Sequence, residues 1–295
     1  MGRGSGGRIG WTIWTRIWRV SCKDSLRTMA LDSRKTLDMH WRVFGQGSRA
    51  ALALHCNLGH SGAFRGIGAA LDDLLTIEAP DMPGHGRSAG YVPGTLTGQT
   101  MLDAIKARLE GPVDVIGHSY GGLLGLRLAI ERPDLVRSLS LFEPVTMLAA
   151  KEAAPEEVAK NDAHMGQVFA LNDAGDPEAA VRMFVEEWGD GTPWEALPEE
   201  TRATFTRQVP FVVASQQDVL EDVGNIMPRL GEIAVPVVVM DGAESPAIMK
   251  PVCDGVASAV QNGRRVTVAG AGHMGAITHA DVVAAEVRRT FDLVV

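Results

Sequence analysis

The sequence predicts an α/β fold, with a mostly parallel central sheet flanked by helices on both faces. Short apolar segments bounded by Gly, Pro, Asp or His recur along the chain, as buried strands do. Helix-like segments separate several of them, which favours parallel strand pairing. The length of 295 residues and the 45% hydrophobic content allow one large domain with a packed core.

The predicted elements begin near residue 41. Strands are expected at residues 51–54, 75–77, 113–116, 139–142, 235–240 and 265–268. Helices are expected at residues 63–74, 97–110, 120–132 and 280–291. This alternation indicates a core formed by residues 39–143 and 232–295.

Residues 144–231 interrupt the alternation. Helix-like segments are expected at residues 155–171 and 177–188, and a strand only at residues 211–214. The interruption carries 16 acidic and 6 basic residues. Because catalytic loops of open α/β sheets emerge at the carboxyl ends of the strands, an insertion between two strands is expected to form a helical lid over an active site.

The amino-terminal 38 residues differ in chemistry from the rest of the chain. Residues 1–42 hold nine basic and three acidic residues, and Trp11, Trp14 and Trp18 have helical spacing. A basic amphipathic helix lying on an anionic membrane surface would show this pattern. The alternatives are a disordered extension, or residues upstream of a natural start at Met29 or Met39.

Charge and cysteine content exclude several classes of protein. The formal net charge of −8 would repel phosphate backbones, so no nucleic-acid partner is expected. Three cysteines, Cys22, Cys56 and Cys253, are too few for a disulfide framework and suit the reducing cytoplasm. No run of 18 apolar residues and no secretory signal is present, so stable membrane insertion is not expected.

A Gly-x-Ser-x-Gly motif, Gly117 to Gly121, follows a predicted strand and precedes a predicted helix. This context is the one that a nucleophile elbow requires. Its glycines allow a sharp, strained turn on which Ser119 would stand exposed. The motif therefore predicts Ser119 as a catalytic nucleophile.

A serine hydroxyl needs a base to accept its proton. His273 lies directly after the last predicted strand and before the last predicted helix, where such a base is expected. His279 is the alternative among the eight histidines. No metal and no organic cofactor is implied by this chemistry.

From about residue 41 to the end, the chain resembles the α/β-hydrolase superfamily. Residues 55–59, His-Cys-Asn-Leu-Gly, resemble the superfamily's oxyanion loop, and residues 80–88 are similar to its loop after the fourth strand. The resemblance implies that the backbone N–H groups of Asn57 and Tyr120 form an oxyanion hole. It also places the helical lid after the sixth strand. Cys56 replaces the usual glycine and would be strained if that position needed a left-handed backbone.

The third triad residue departs from the superfamily's pattern. The acid usually follows the seventh strand, where Ser245 stands here. Glu143, at the end of the sixth strand, is the preferred substitute, because hydrogen bonding to His273 would give a buried carboxylate a partner. Glu244, Asp241 and the absence of any acid remain as alternatives.

These residues predict a serine hydrolase that cleaves a carboxylic ester, thioester or lactone of a small, largely uncharged substrate through an acyl-serine intermediate. An acyltransferase or a cofactor-free perhydrolase would use the same triad. A receptor-like protein of the same fold that binds a ligand with little turnover is the third possibility, and the absence of an acid would favour it.

Overall fold

The computed structural model describes residues 37–92 and 97–291. The tryptophan pattern and the proposed start at Met29 lie outside the described residues. Within the described part, Leu37 already packs against the core, and Met39 is buried in it. No helix in this part of the chain is long and apolar enough to cross a membrane.

The centre of the fold is a sheet of seven strands among the described residues. Their bounds are β1 Trp41–Phe44, β2 Arg49–Leu54, β3 Leu75–Pro80, β4 Val113–His118, β5 Val136–Phe142, β6 Pro236–Gly242 and β7 Asn262–Val268. The strand order is β1-β3-β2-β4-β5-β6-β7. Only β1 runs antiparallel to its neighbour, β3. The predicted α/β fold is therefore confirmed.

The central strand β4 shows why these segments form a buried parallel sheet. All six of its residues are buried, including Asp114. That carboxylate accepts hydrogen bonds from Arg49, Arg137 and the Ser138 hydroxyl. These hydrogen bonds allow the charged Asp114 side chain to remain buried in an otherwise apolar layer. Without partners, the buried charge would cost much more free energy.

Helices cover both faces of the sheet. Their bounds are α1 Arg65–Ala70, α2 Thr97–Arg108, α3 Tyr120–Glu131, α4 Pro155–Asp173, α5 Pro177–Trp188, α6 Glu199–Leu220, α7 Met249–Ala259, α8 Gly275–Thr278 and α9 Ala280–Phe291. Helix α3 is buried on all sides from Tyr120 to Ile130. It follows β4 directly, so its amino terminus is fixed at the carboxyl edge of the sheet.

Helices α4, α5 and α6 lie between β5 and β6 along the chain. In the superfamily's numbering, used for the resemblance above, these two strands are the sixth and the seventh. We call residues 144–231 the helical insertion. Its helices share an apolar cluster of their own, built around Val168, Val181 and Val209. The insertion is therefore held together by its own buried side chains as well as by contacts to the core.

The expected strand at residues 211–214 is wrong, because these residues lie inside α6. Phe211 and Val212 are fully buried, so a short apolar run marks a buried stretch of helix here. Periodicity cannot distinguish a buried strand from a buried helical segment over four residues.

Candidate active site

Ser119 occupies a strained turn between β4 and α3. Its φ of 56° and ψ of −118° are unfavourable for a residue with a side chain. The turn is possible because its glycines permit close approach: a Cβ on Gly121 would lie 2.0 Å from the Leu54 carbonyl oxygen. The backbone N–H of Ser119 donates to the Phe142 carbonyl at 2.9 Å. These contacts fix the position of the serine.

The serine is buried rather than exposed, contrary to the expectation from the sequence. Only 6% of Ser119 is accessible to solvent. Side chains of the helical insertion, among them Met165 and Trp188, line a cavity together with Ser119. A motif on one strand carries no information about a covering segment that comes later in the chain.

His273 lies in the loop between β7 and α8 and contacts two of the other candidates. Its Nε2 is 3.1 Å from the Ser119 hydroxyl oxygen, and its Nδ1 is 2.6 Å from Glu143 Oε2. A carboxylate only accepts hydrogen bonds, so Nδ1 carries the hydrogen and Nε2 is left to accept one from the serine. His279 makes a hydrogen-bond contact with the neighbouring Thr278 instead.

Glu143 follows β5 directly and is fully buried. Its φ of 48° places it in the left-handed region, which turns the side chain toward the ends of β6 and β7. Oε1 accepts hydrogen bonds from the Gly242 backbone N–H at 2.8 Å and from the Ser245 hydroxyl. With His273 on Oε2, the buried carboxylate has three donors, which offset the cost of its desolvation.

The alternative acids lie elsewhere. Asp241 is buried in an ion pair with Arg265, at 2.9 Å. Glu244 is exposed. Of the three carboxylates considered from the sequence, Glu143 alone makes a hydrogen bond to His273 in the described part of the chain.

His118 supports the site in a way that the sequence did not reveal. Its Nε2 donates to the backbone carbonyl of His273 at 2.8 Å, and its ring packs edge-on against Phe142. Burial, together with the nearby His273, lowers the pKa of His118 to about 3. The neutral imidazole can therefore hold the His273 loop without adding a charge beside it.

The loop after β2 brings Asn57 to the same cavity as Ser119. The left-handed residue of this loop is Leu58, with a φ of 60°, so Cys56 is not strained as its replacement of glycine suggested. Burial raises the pKa of the Cys56 thiol to about 12, which keeps it protonated and unreactive. Tyr120 is the first residue of α3, immediately after the serine.

Buried histidines connect this loop to the loop after β3. His55 Nε2 accepts from the Met82 backbone N–H at 2.9 Å, and His85 Nε2 accepts from the Leu58 N–H at 3.2 Å. Burial is the main cause that lowers the pKa of His55 to about 3 and that of His85 to about 4. Both rings are neutral acceptors that fix the loop carrying Asn57.

The cavity above Ser119 encloses about 340 Å³ of empty space, including its open mouth. Five of the eleven lining residues have aliphatic, thioether or phenyl side chains: Val145, Met147, Met165, Phe184 and Val219. Trp188, at the end of α5, packs edge-on against the His273 ring with 4.9 Å between ring centres. Among the described residues, no Lys, Arg, Asp or Glu lines this cavity.

In residues 37–92 and 97–291, no group of three or more His, Cys, Asp or Glu side chains is arranged to hold a metal ion.

Comparison with known proteins identifies the class of the protein. Residues 51–286 match the model of the alpha/beta hydrolase family, and the chain belongs to this family. The match confirms the family predicted from the sequence and the prediction of a carboxylesterase-like hydrolase enzyme.

Two curated relatives are named for their action on esters or lipids. Lipase LipV of Mycobacterium tuberculosis is 35% identical over 163 residues, covering 53% of this chain and 58% of that protein. The pimeloyl-[acyl-carrier protein] methyl ester esterase of Neisseria meningitidis is 28% identical over 234 residues, covering 72% of this chain and 85% of that protein. The first match thus spans little more than half of its relative.

Solved structures share the fold at low sequence identity. The putative non-heme bromoperoxidase BpoC of Mycobacterium tuberculosis superposes with a TM-score of 0.66 at 20% identity, covering 90% of this chain and 99% of that chain. MenH from S. aureus superposes with a TM-score of 0.64 at 18% identity, covering 86% and 98%. At this identity the likeness concerns the fold alone.

Proposed function

We propose that this protein is a serine hydrolase that cleaves a carboxylic ester, thioester or lactone of a small, largely uncharged substrate. The observation that supports it is the continuous chain of contacts from the Ser119 hydroxyl through His273 to Glu143. A hydroxyl, an imidazole and a carboxylate in this order are the parts that acyl transfer through serine requires.

In the first half of the reaction, Ser119 Oγ attacks the carbonyl carbon while His273 Nε2 accepts the hydroxyl proton. A tetrahedral intermediate forms, with a negative charge on the former carbonyl oxygen. The backbone N–H groups of Asn57 and Tyr120 are the proposed donors to this oxygen, each contributing roughly 3 kcal/mol of transition-state stabilisation. His273 then gives its proton to the departing alcohol, leaving an acyl-serine.

In the second half, His273 takes a proton from water, which attacks the acyl-serine to form a second tetrahedral intermediate. This intermediate collapses as His273 returns the proton to Ser119 Oγ, which breaks the acyl–oxygen bond and releases the acid. The imidazolium formed in each half carries a positive charge that the Glu143 carboxylate stabilises. Because Glu143 is fully buried, this interaction acts in a medium of low dielectric. The carboxylate therefore favours the transition state over the ground state.

The cavity supports the proposed substrate class. Its apolar walls and the absence of Lys, Arg, Asp or Glu among its lining residues favour a short, uncharged acyl or alcohol group. We propose that the helical insertion acts as a lid, because it buries Ser119 and would exclude water from the reacting atoms. Small-molecule esters are thus the expected partners, and a cytoplasmic location stays a prediction from the cysteine content.

The acid of the triad bears on the receptor-like alternative. That alternative would be favoured if His273 had no carboxylate partner. Glu143 Oε2 lies 2.6 Å from His273 Nδ1, so this argument for the receptor-like protein does not apply. An acyltransferase or a perhydrolase would differ only in the molecule that accepts the acyl group. Product analysis with and without added alcohol or hydrogen peroxide distinguishes the three acceptors. Water gives the free acid, an alcohol gives a new ester, and hydrogen peroxide gives a peracid.

The experiment that tests the proposal combines a fluorophosphonate probe with p-nitrophenyl esters of increasing acyl length. Covalent labelling of Ser119, together with turnover, is expected for the wild type. Ser119→Ala should abolish labelling and lower kcat by several orders of magnitude. Ser140→Ala is the matched control, because it removes a buried hydroxyl that has no hydrogen-bond partner among the described residues, and it should keep both the labelling and the turnover. Retention of more than about a tenth of the turnover in Ser119→Ala would refute the assignment.

A further inference from the structure

Three polar atoms of the cavity residues have no hydrogen-bond partner in the described part of the chain, and one of them is the side-chain nitrogen of Asn161. The other two are the indole nitrogen of Trp188 and the side-chain oxygen of Asn57, and all three atoms are buried. An unsatisfied buried polar atom destabilises the folded protein, so a cavity lined by such atoms is suited to a ligand that pairs with them. All three residues line the cavity that holds Ser119 and His273.

The orientation of the Asn57 amide follows from its neighbours. The Ser215 hydroxyl donates its hydrogen to the Val212 carbonyl at 2.8 Å, so Ser215 Oγ can only accept at its other contact. That contact, at 3.0 Å, is with Asn57 Nδ2, which must therefore be the amide nitrogen. Asn57 Oδ1 is left as an unpaired acceptor.

Trp188 supplies the complementary group. Only 6% of Trp188 is exposed to solvent. An indole N–H donates a hydrogen bond and cannot accept one. The edge-on contact with the His273 ring fixes the indole beside the reacting atoms. The loop after β2 therefore offers an acceptor to the cavity, and α5 offers a donor, beside the Asn161 nitrogen from α4.

We infer that the cavity binds esters or lactones that carry, near the scissile carbonyl, an uncharged group able both to donate and to accept a hydrogen bond. A secondary amide and a hydroxyl have this chemistry: the N–H or O–H would donate to Asn57 Oδ1, and the oxygen would accept from Trp188 Nε1. A charged group does not fit, because no Lys, Arg, Asp or Glu of residues 37–92 and 97–291 lines the cavity to pair with it. The inference rests on the proposed function, since it names the substrate class of the same site.

Matched esters test this selectivity. The p-nitrophenyl ester of N-acetylglycine is compared with that of pentanoic acid, and the ester of 3-hydroxybutanoic acid with that of 3-methylbutanoic acid. Each kcat/KM is divided by the rate of hydroxide-catalysed hydrolysis of the same ester, because the polar groups change the intrinsic reactivity of the carbonyl. The polar member of at least one pair should be preferred at least about tenfold, since a site with unpaired polar groups discriminates against an analogue that cannot pair with them. A comparison of the two pairs shows whether the cavity prefers an ester with an amide or an ester with a hydroxyl.

Variants connect the preference to the two atoms. Trp188→Phe keeps an aromatic ring beside His273 and removes the N–H, and Asn57→Leu removes the acceptor but keeps the backbone N–H. Either should reduce the preference at least threefold. Trp194→Phe is the matched control, because Trp194 is a buried indole of the helical insertion that belongs to its separate apolar cluster. It should leave the preference unchanged.

Equal normalised kcat/KM values within both pairs would overturn the inference, and so would a preference that persists in both variants. Failure of the proposed function is a different result, in which no ester shows turnover that depends on Ser119. In that case, calorimetric titration of Ser119→Ala with N-acetylglycine methyl ester and with methyl pentanoate decides the inference. Tighter binding of the amide supports it, and equal binding overturns it.

Discussion

The Ser245 hydroxyl donates a hydrogen bond to Oε1 of Glu143. Ser245 stands at the position after β6 where the superfamily resemblance leads one to expect an acid, and Glu143 comes from the end of β5. The two positions therefore meet at one point in space: the carboxylate comes from the neighbouring strand, and the position where the resemblance places an acid supplies a donor to it. His273 contacts the other oxygen of the same carboxylate, at 2.6 Å.

The first prediction concerns this carboxylate. Glu143→Gln should lower kcat on the order of 10³–10⁴-fold with a nearly unchanged KM, because the charge on His273 appears only as the transition state forms. Steady-state kinetics with a p-nitrophenyl ester measures both constants. Glu244→Gln is the control and should be nearly silent, since Glu244 is exposed. The reverse ordering would return the acid to the loop after β6.

The second prediction concerns the hydroxyl that supports the carboxylate. Ser245→Ala should lower kcat roughly tenfold, because a hydrogen bond to a charged group contributes about 1.5–3 kcal/mol and the Gly242 N–H remains as a donor to Oε1. Ser245→Thr keeps a hydroxyl and should restore most of the activity. A purely structural role would instead lower the melting temperature of Ser245→Ala without a change in kcat.

Sequence reasoning located residues whose role depends on a local turn or a strand end. Ser119 could be predicted because Gly-x-Ser-x-Gly joins a strand to a helix, and Glu143 because it ends a buried strand next to the predicted sheet edge. Trp188 and the Asn57 side chain could not, because their meeting depends on how the insertion folds over the sheet. The hydrogen bond of Ser245 was hidden for a similar reason: its partner is more than a hundred residues away along the chain.

The third prediction concerns a contact between the helical insertion and Tyr120, the first residue of α3. The Tyr120 hydroxyl donates to Asp218 Oδ2 at 2.7 Å, and Arg127 lies 3.5 Å from the other oxygen. Burial raises the pKa of Asp218, and these two neighbours oppose the change. Tyr120→Phe should therefore destabilise the protein by about 1–3 kcal/mol, because it removes a donor from a buried carboxylate.

A double-mutant cycle with Asp218→Asn measures this coupling in urea unfolding experiments. The asparagine carries no charge to stabilise, so Tyr120→Phe should cost less in the Asp218→Asn background than in the wild type. Equal costs in the two backgrounds would show that the hydroxyl and the carboxylate do not interact energetically.

The last prediction concerns stability at acidic pH. Burial lowers the pKa of His55 and His118 to about 3 and that of His85 to about 4, from an ordinary value of 6.5. Below pH 6.5 the unfolded chain binds protons at these three positions while the folded protein does not, so unfolding takes up protons and stability falls as pH falls.

The loss should be steep between pH 6.5 and pH 4. Each histidine contributes about 1.4 kcal/mol per pH unit in this window, so three together give a slope of up to about 4 kcal/mol per unit, large against a total stability of 5–15 kcal/mol for ordinary domains. The raised pKa of Asp218 acts in the opposite direction, since its protonation favours the folded state as pH falls. Urea unfolding at pH 7, 6 and 5 and constant ionic strength gives the slope. His118→Asn should reduce it by about one proton, because the variant keeps a polar side chain but cannot titrate. A free energy of unfolding that stays constant from pH 6.5 to pH 5 would show that the three rings are protonated in the folded protein as readily as in the unfolded chain.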